Sequence, residues 1–197
     1  MAPGAPEPQE ALFAACAEGR VDEVRQMLDE GAEVDRAKEN GATPLFIACQ
    51  NGRVAVATLL LDKGAAVDRA QNEGATPLYV ACQNGHVDAA RLLLDKGSEV
   101  DQAKKNGWTP LLIACFKGHV DAAQLLLGRG AEVDRSNEKG AKPLFIACWK
   151  GHVDAARLLL DKGAEFDRAT EGGFTPLSIA KQNRHASIVA LLEEHQK

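Results

Sequence analysis

The stretch GWTPLLIACFKGHV, Gly107 to Val120, decides how the chain folds. It sets Cys115 and His119 four residues apart, one helical turn, which is also the spacing of a metal half-site or a thiol–imidazole pair. Its neighbours along the chain resolve that ambiguity. The five cysteines are Cys16, Cys49, Cys82, Cys115 and Cys148, and successive pairs are 33 residues apart. A fixed period marks an internal repeat and not a disulfide framework, and an odd cysteine count fits a reducing compartment. In the same frame Gly41, Gly74, Gly107, Gly140 and Gly173 each open a copy, followed by TPLFIAC, TPLYVAC, TPLLIAC, KPLFIAC and TPLSIAK. Six copies result, at about 8–40, 41–73, 74–106, 107–139, 140–172 and 173–197.

Each copy reads as two short helices and a turn. Thr109 is placed to cap a helix whose first residue is Pro110, where a missing N–H costs nothing. Gly118 interrupts, a second helix carries Val120, Ala123, Leu126 and Leu127, and Gly130 is positioned to end it in the left-handed region. Helices this short are marginal alone, and one copy cannot bury their apolar faces, so stacking is obligatory. The end copies carry polar residues suited to caps: Glu18, Glu23 and Gln26 in the first, Ser187, Glu193, Glu194, His195 and Gln196 in the last.

Period, Thr-Pro-Leu start, Gly-His junction and the GAxVx entry to the connecting loop together resemble the ankyrin repeat family, over about residues 8–197. The resemblance implies an all-α ankyrin-repeat solenoid, each copy a helix-turn-helix plus a β-hairpin loop, in one repeat domain behind a disordered tail at residues 1–7. It also implies a non-enzymatic protein–protein interaction module that binds a protein segment on its concave face. The chain departs from the family at the position of its usual His, which is Phe46, Tyr79, Leu112, Phe145 and Ser178 here. That replacement predicts more packing and fewer polar links between copies.

Other chemistries find little support. Zinc wants four ligands, whereas each Cys82/His86, Cys115/His119 and Cys148/His152 pair offers two, and stacked copies stand about 8–10 Å apart. The cysteine is therefore expected to act as a small buried hydrophobe, with the thiols reduced and metal-free. No G-x-S-x-G, phosphate-cradling loop or H-E-x-x-H occurs, so no catalytic residue, metal or cofactor is expected. Asp35, Asp68, Asp101, Asp134 and Asp167 recur with the period and are expected to satisfy backbone groups of the turns. The net charge is −5, with residues 1–40 contributing −6 (ten acidic, four basic) and the remainder +1, which does not suggest nucleic acid as a partner. Apolar runs such as Leu111 to Phe116 are far below membrane-spanning length, and MAPGAPEPQE lacks the blocks of a signal peptide. A cytoplasmic or nuclear monomer, not secreted, is the expectation.

Individuality lies where the copies differ. After the opening glycine stand Ala42, Ala75, Trp108, Ala141 and Phe174; before the inter-helix glycine stand Gln50-Asn51, Gln83-Asn84, Phe116-Lys117, Trp149-Lys150 and Gln182-Asn183. In the family these positions face the partner. The expected contact residues are therefore Lys105, Trp108, Phe116, Lys117, Lys139, Trp149, Lys150 and Phe174, and the expected partner is a protein or peptide segment with apolar or aromatic anchors and some acidic residues. Two rivals are a cysteine-dependent enzyme or metal-binding protein, opposed by the cysteines' periodicity, and an engineered or purely structural scaffold without a natural partner. GHVDAARLLLDKG in copies three and five fits the second, whereas drift at Thr58, Gln124 and Phe166 favours a natural protein.

Overall fold

The computed structural model describes residues 8–196, so the expected tail at residues 1–7 lies outside the described residues. Twelve α-helices are formed among them and no strand. The chain divides into two compact units, one up to Glu99 and one from Val100. The first unit holds α1 (Pro8–Glu18), α2 (Val21–Asp29), α3 (Pro44–Gln50), α4 (Val54–Asp62), α5 (Pro77–Gln83) and α6 (Val87–Asp95). The second holds α7 (Pro110–Lys117), α8 (Val120–Gly128), α9 (Pro143–Lys150), α10 (Val153–Asp161), α11 (Pro176–Gln182) and α12 (Ala186–His195). Within each unit the first helices of the copies pack on one another, as do the second helices, and the two helices of each copy pack together.

The capping residues act as their positions require. Thr43, Thr76, Thr109 and Thr175 accept the N–H three residues on, and a proline follows each. Copy five has Lys142 instead, which makes no side-chain cap. Its ammonium reaches Glu165 at 2.7 Å and Asp134 at 3.7 Å. The second helices end in paired bonds of the Schellman type: Ala131 N–H donates to Leu126 O and Gly130 N–H to Leu127 O, with Gly130 at φ +89°.

The expected β-hairpin loops are present only as tight turns. Lys104 N–H donates to Trp108 O and Asn137 N–H to Ala141 O, closing each turn with too little pairing to form a strand. Alanine, leucine and cysteine fill the inter-helix space: Leu111, Ala114, Cys115, Ala122, Ala123, Leu126, Leu144, Ala147 and Cys148 have no exposed surface. Phe46, Tyr79 and Leu112 are also buried, as the packing expectation requires, while Phe145 is half-buried and Ser178 exposed, closing a capping box with Thr175.

Polar links between copies nevertheless exist, moved to other positions. Asp35, Asp68, Asp101 and Asp134 each accept the backbone N–H of a residue 31 further on: Ala66, Glu99, Glu132 and Glu165. The repeated aspartate thus serves the next copy's turn.

Candidate functional site

Three of the junction histidines bond to the backbone of the preceding copy. The Nε2 of His86 meets Gln50 O at 3.1 Å, that of His152 meets Phe116 O at 3.1 Å, and that of His185 meets Trp149 O at 3.2 Å. Each ring binds a carbonyl 36 residues earlier and lies against that copy's junction glycine: a Cβ on Gly118 would stand 2.7 Å from His152. The cysteines are all free and buried. Burial pushes the thiols of Cys16, Cys82, Cys115 and Cys148 up to about 12, and Cys49 higher still. A thiol that hard to ionise is a packing group, since the thiolate is the nucleophile and the metal ligand.

The differing residues of the second unit gather into one face. Trp108 precedes α7, yet its ring meets Phe116, at the end of α7, edge-on at 5.4 Å. Phe116 in turn meets Trp149 of α9 at 5.8 Å. Lys150 lays its ammonium 4.3 Å from the centres of both the Phe116 and Trp149 rings, and the Lys117 ammonium is 5.8 Å from Phe116. Leu112 lies between Trp108 and Phe116 in sequence but is fully buried, so it is core and not part of this face.

Beside the cluster runs a groove of about 660 Å³. Trp108, Ala141, Phe145, Ile146, Trp149 and Ile179 give it apolar walls, and the turn residues Glu138, Lys139 and Glu171 stand along its polar edge. Trp149 keeps 38% of its surface exposed in this setting. The aromatics therefore pack on one another and still leave area for a ligand.

Of the eight expected residues Trp108, Lys139 and Trp149 line the groove, and Phe116, Lys117 and Lys150 belong to the ring cluster beside it. Lys105 is exposed on the preceding turn and does not line the groove. Phe174 is 42% exposed but also stands outside the lining. Its ring edge approaches Gly172, where a Cβ would lie 3.4 Å away. Sequence reasoning missed Ile146 and Ile179, which occupy the repeated isoleucine of the first helix and so read as framework. It also missed Glu138 and Glu171, which read as ordinary turn residues.

A second hollow, of about 740 Å³, lies in the first copy of the first unit. Glu10, Glu30, Glu33, Arg36 and Lys38 make its lining largely ionic, with Lys38 paired to Glu10 and set 4.8 Å from the Phe13 ring centre. It carries nearly as much apolar surface as the groove of the second unit, but a larger polar share and no tryptophan.

Among the described residues no helix is long and apolar enough to cross a membrane, and no cluster of three or more potential metal ligands occurs. No curated protein matches the chain. The crystal structure of the human ASB11 ankyrin repeat domain superposes with a TM-score of 0.88 at 29% identity, covering 98% of this chain and 85% of that one. The family model described as ankyrin repeats (3 copies) matches residues 3–71, 66–137 and 129–197, which overlap in succession, and the chain belongs to the ankyrin repeat family.

Proposed function

We propose that this member of a family of protein–protein interaction modules binds a protein segment at the groove of its fourth to sixth copies. Ankyrin repeats generally serve as such modules. The observation that carries the reading is the groove itself, about 660 Å³ with Trp108 and Trp149 in its walls, where the corresponding positions of copies two and three hold Ala42, Gln50, Ala75 and Gln83. Tryptophan offers much area for few rotatable bonds and dominates interface energetics. Apolar or aromatic anchors on the partner fill the groove, and its acidic residues meet Lys117 and Lys150. The protein acts as a monomer and without catalysis, its thiols being buried and held in the protonated form.

Affinity capture from an extract tests this, comparing the parent with a Trp108→Ala, Trp149→Ala double variant and a Gln50→Ala, Gln83→Ala control. Partners held by the parent and the Gln variant but lost from the Trp variant are expected. Equal loss from both variants refutes the placement.

A further inference from the structure

We propose that the bound segment is dipolar, with an apolar anchor flanked by an acidic residue on one side and a basic residue about four positions away on the other. This rests on the groove being the binding site, and it adds the basic residue that lysine positions alone do not suggest.

Opposite charges stand at the two ends of the groove's α9 wall. At the turn edge Glu138 and Glu171 outnumber Lys139. At the other end Lys150 stands outside the lining but lays its ammonium 4.3 Å from the centre of the Trp149 ring that walls the groove, and Lys117 ends α7. α9 begins just after the turn that holds Glu138 and finishes at Lys150. Eight helical residues rise about 12 Å, a span that about four residues of extended chain cross. Phe145, Ile146 and Trp149 lie on the helix between the two ends.

These charges are also unpaired among the described residues, as Lys139, Arg157 and Lys162 of the same unit are. Elsewhere in the second unit Lys142 pairs with Asp134 and Glu165, Arg135 with Glu132, Arg168 with Glu165 and Lys181 with Glu193. Among the described residues no ion pair engages Glu138, Glu171, Lys117 or Lys150. Lys150 instead rests on the Phe116 and Trp149 rings, where it meets a partner carboxylate without leaving the aromatic edge. The turns that carry the acids are tied to their neighbours by backbone bonds, Glu138 N–H to Asn106 O and Glu171 N–H to Lys139 O, both 3.4 Å. Opposed unpaired charges on fixed supports select both the composition and the direction of a ligand. A polyanion such as nucleic acid meets repulsion at Glu138 and Glu171.

The test is selection of a randomised twelve-residue peptide library on the full chain, repeated on a Glu138→Gln, Glu171→Gln variant and on Trp149→Ala. Both glutamates are exposed and contribute to the fold through backbone groups, which glutamine retains. The expected peptides carry Asp or Glu, then an aromatic or large aliphatic residue, then Lys or Arg, in one direction or its reverse. The basic preference disappears on the Gln variant, and affinity for the parent's peptides falls about tenfold there. Enriched peptides that need Trp149 but show no basic preference, or that bind the Gln variant equally, overturn the dipolar inference and leave the proposed function standing. Peptides indifferent to Trp149→Ala, or no enrichment at all, overturn both.

Discussion

Gly118→Ala separates two roles that the junction glycine combines. The residue sits at φ +74°, where an L-side chain costs about 1–2 kcal/mol. A Cβ there also stands 2.7 Å from His152 Nδ1 and Cε1, so the ring has to move off its 3.1 Å bond to Phe116 O. Losing that bond adds about 1 kcal/mol. The total is about 2–3 kcal/mol. Gly130→Ala is the control, because its φ of +89° imposes the same backbone cost with nothing within 4 Å of the new methyl. Urea unfolding followed by helical circular dichroism and by tryptophan fluorescence measures both, and both tryptophans, Trp108 and Trp149, lie in the unit concerned. The same Gly118→Ala change in a His152→Ala background has no ring to displace, and its cost there falls to that of Gly130→Ala. If Gly118→Ala and Gly130→Ala cost the same in the parent chain, the histidine contributes nothing between copies and the reasoning fails.

Ala131→Ser tests the aspartate ladder. Ser98 donates its hydroxyl to Asp68, but Ala131 leaves Asp101 Oδ1 buried without a partner, and burial raises that carboxyl's pKa. A hydroxyl there stabilises the fold by about 1 kcal/mol and brings the Asp101 pKa down, measured by urea midpoint and by NMR titration; an unchanged midpoint counts against the ladder. Leu126→Ala, at a position with no exposed surface, costs about 2–5 kcal/mol by the same unfolding assay. The thiols make the fold sensitive to alkali: a raised native pKa means the unfolded chain ionises first, so stability falls as pH climbs from about 9 towards about 12. Replacing all five cysteines by alanine flattens that decline, and native thiols react slowly with an aromatic disulfide reagent until urea is added; one fast native thiol would contradict the packing role.

The architecture was legible because it is written many times over. One Thr-Pro is a weak signal, but four at the same phase, three of them followed by an apolar run and a glycine, leave one consistent reading. The site was legible in part, since Trp108, Phe116 and Trp149 break a repeated pattern and so announce themselves. Ile146, Ile179, Glu138 and Glu171 do not break it. Their membership of the groove follows from which faces the stacking leaves open, a tertiary property with no local signature. Phe174 also breaks the pattern, and it stands outside the lining with its ring edge near Gly172.

The repeated framework and the singular site meet at two carbonyl groups. In the first unit Gln50 O accepts from both His86 and Asn84 Nδ2 of the next copy, and in the second Trp149 O accepts from both His185 and Asn183 Nδ2. At Gln50 and Trp149, two residues before the junction glycine, the carbonyl is therefore held by two side chains of the next copy. Copies two and three place glutamine there, whereas copies four and five place Phe116 and Trp149. At Phe116 O the arrangement changes: His152 still donates, but the position of the second donor is Lys150. That lysine gives up the carbonyl and covers the Phe116 ring at 4.3 Å. One amide contact between copies is thus exchanged for a cation on the aromatic edge, and the His152 bond to Phe116 O remains. Rigidity at an anchor lowers the ordering cost of binding, so the same bond that stacks the copies would also prepare the proposed binding surface.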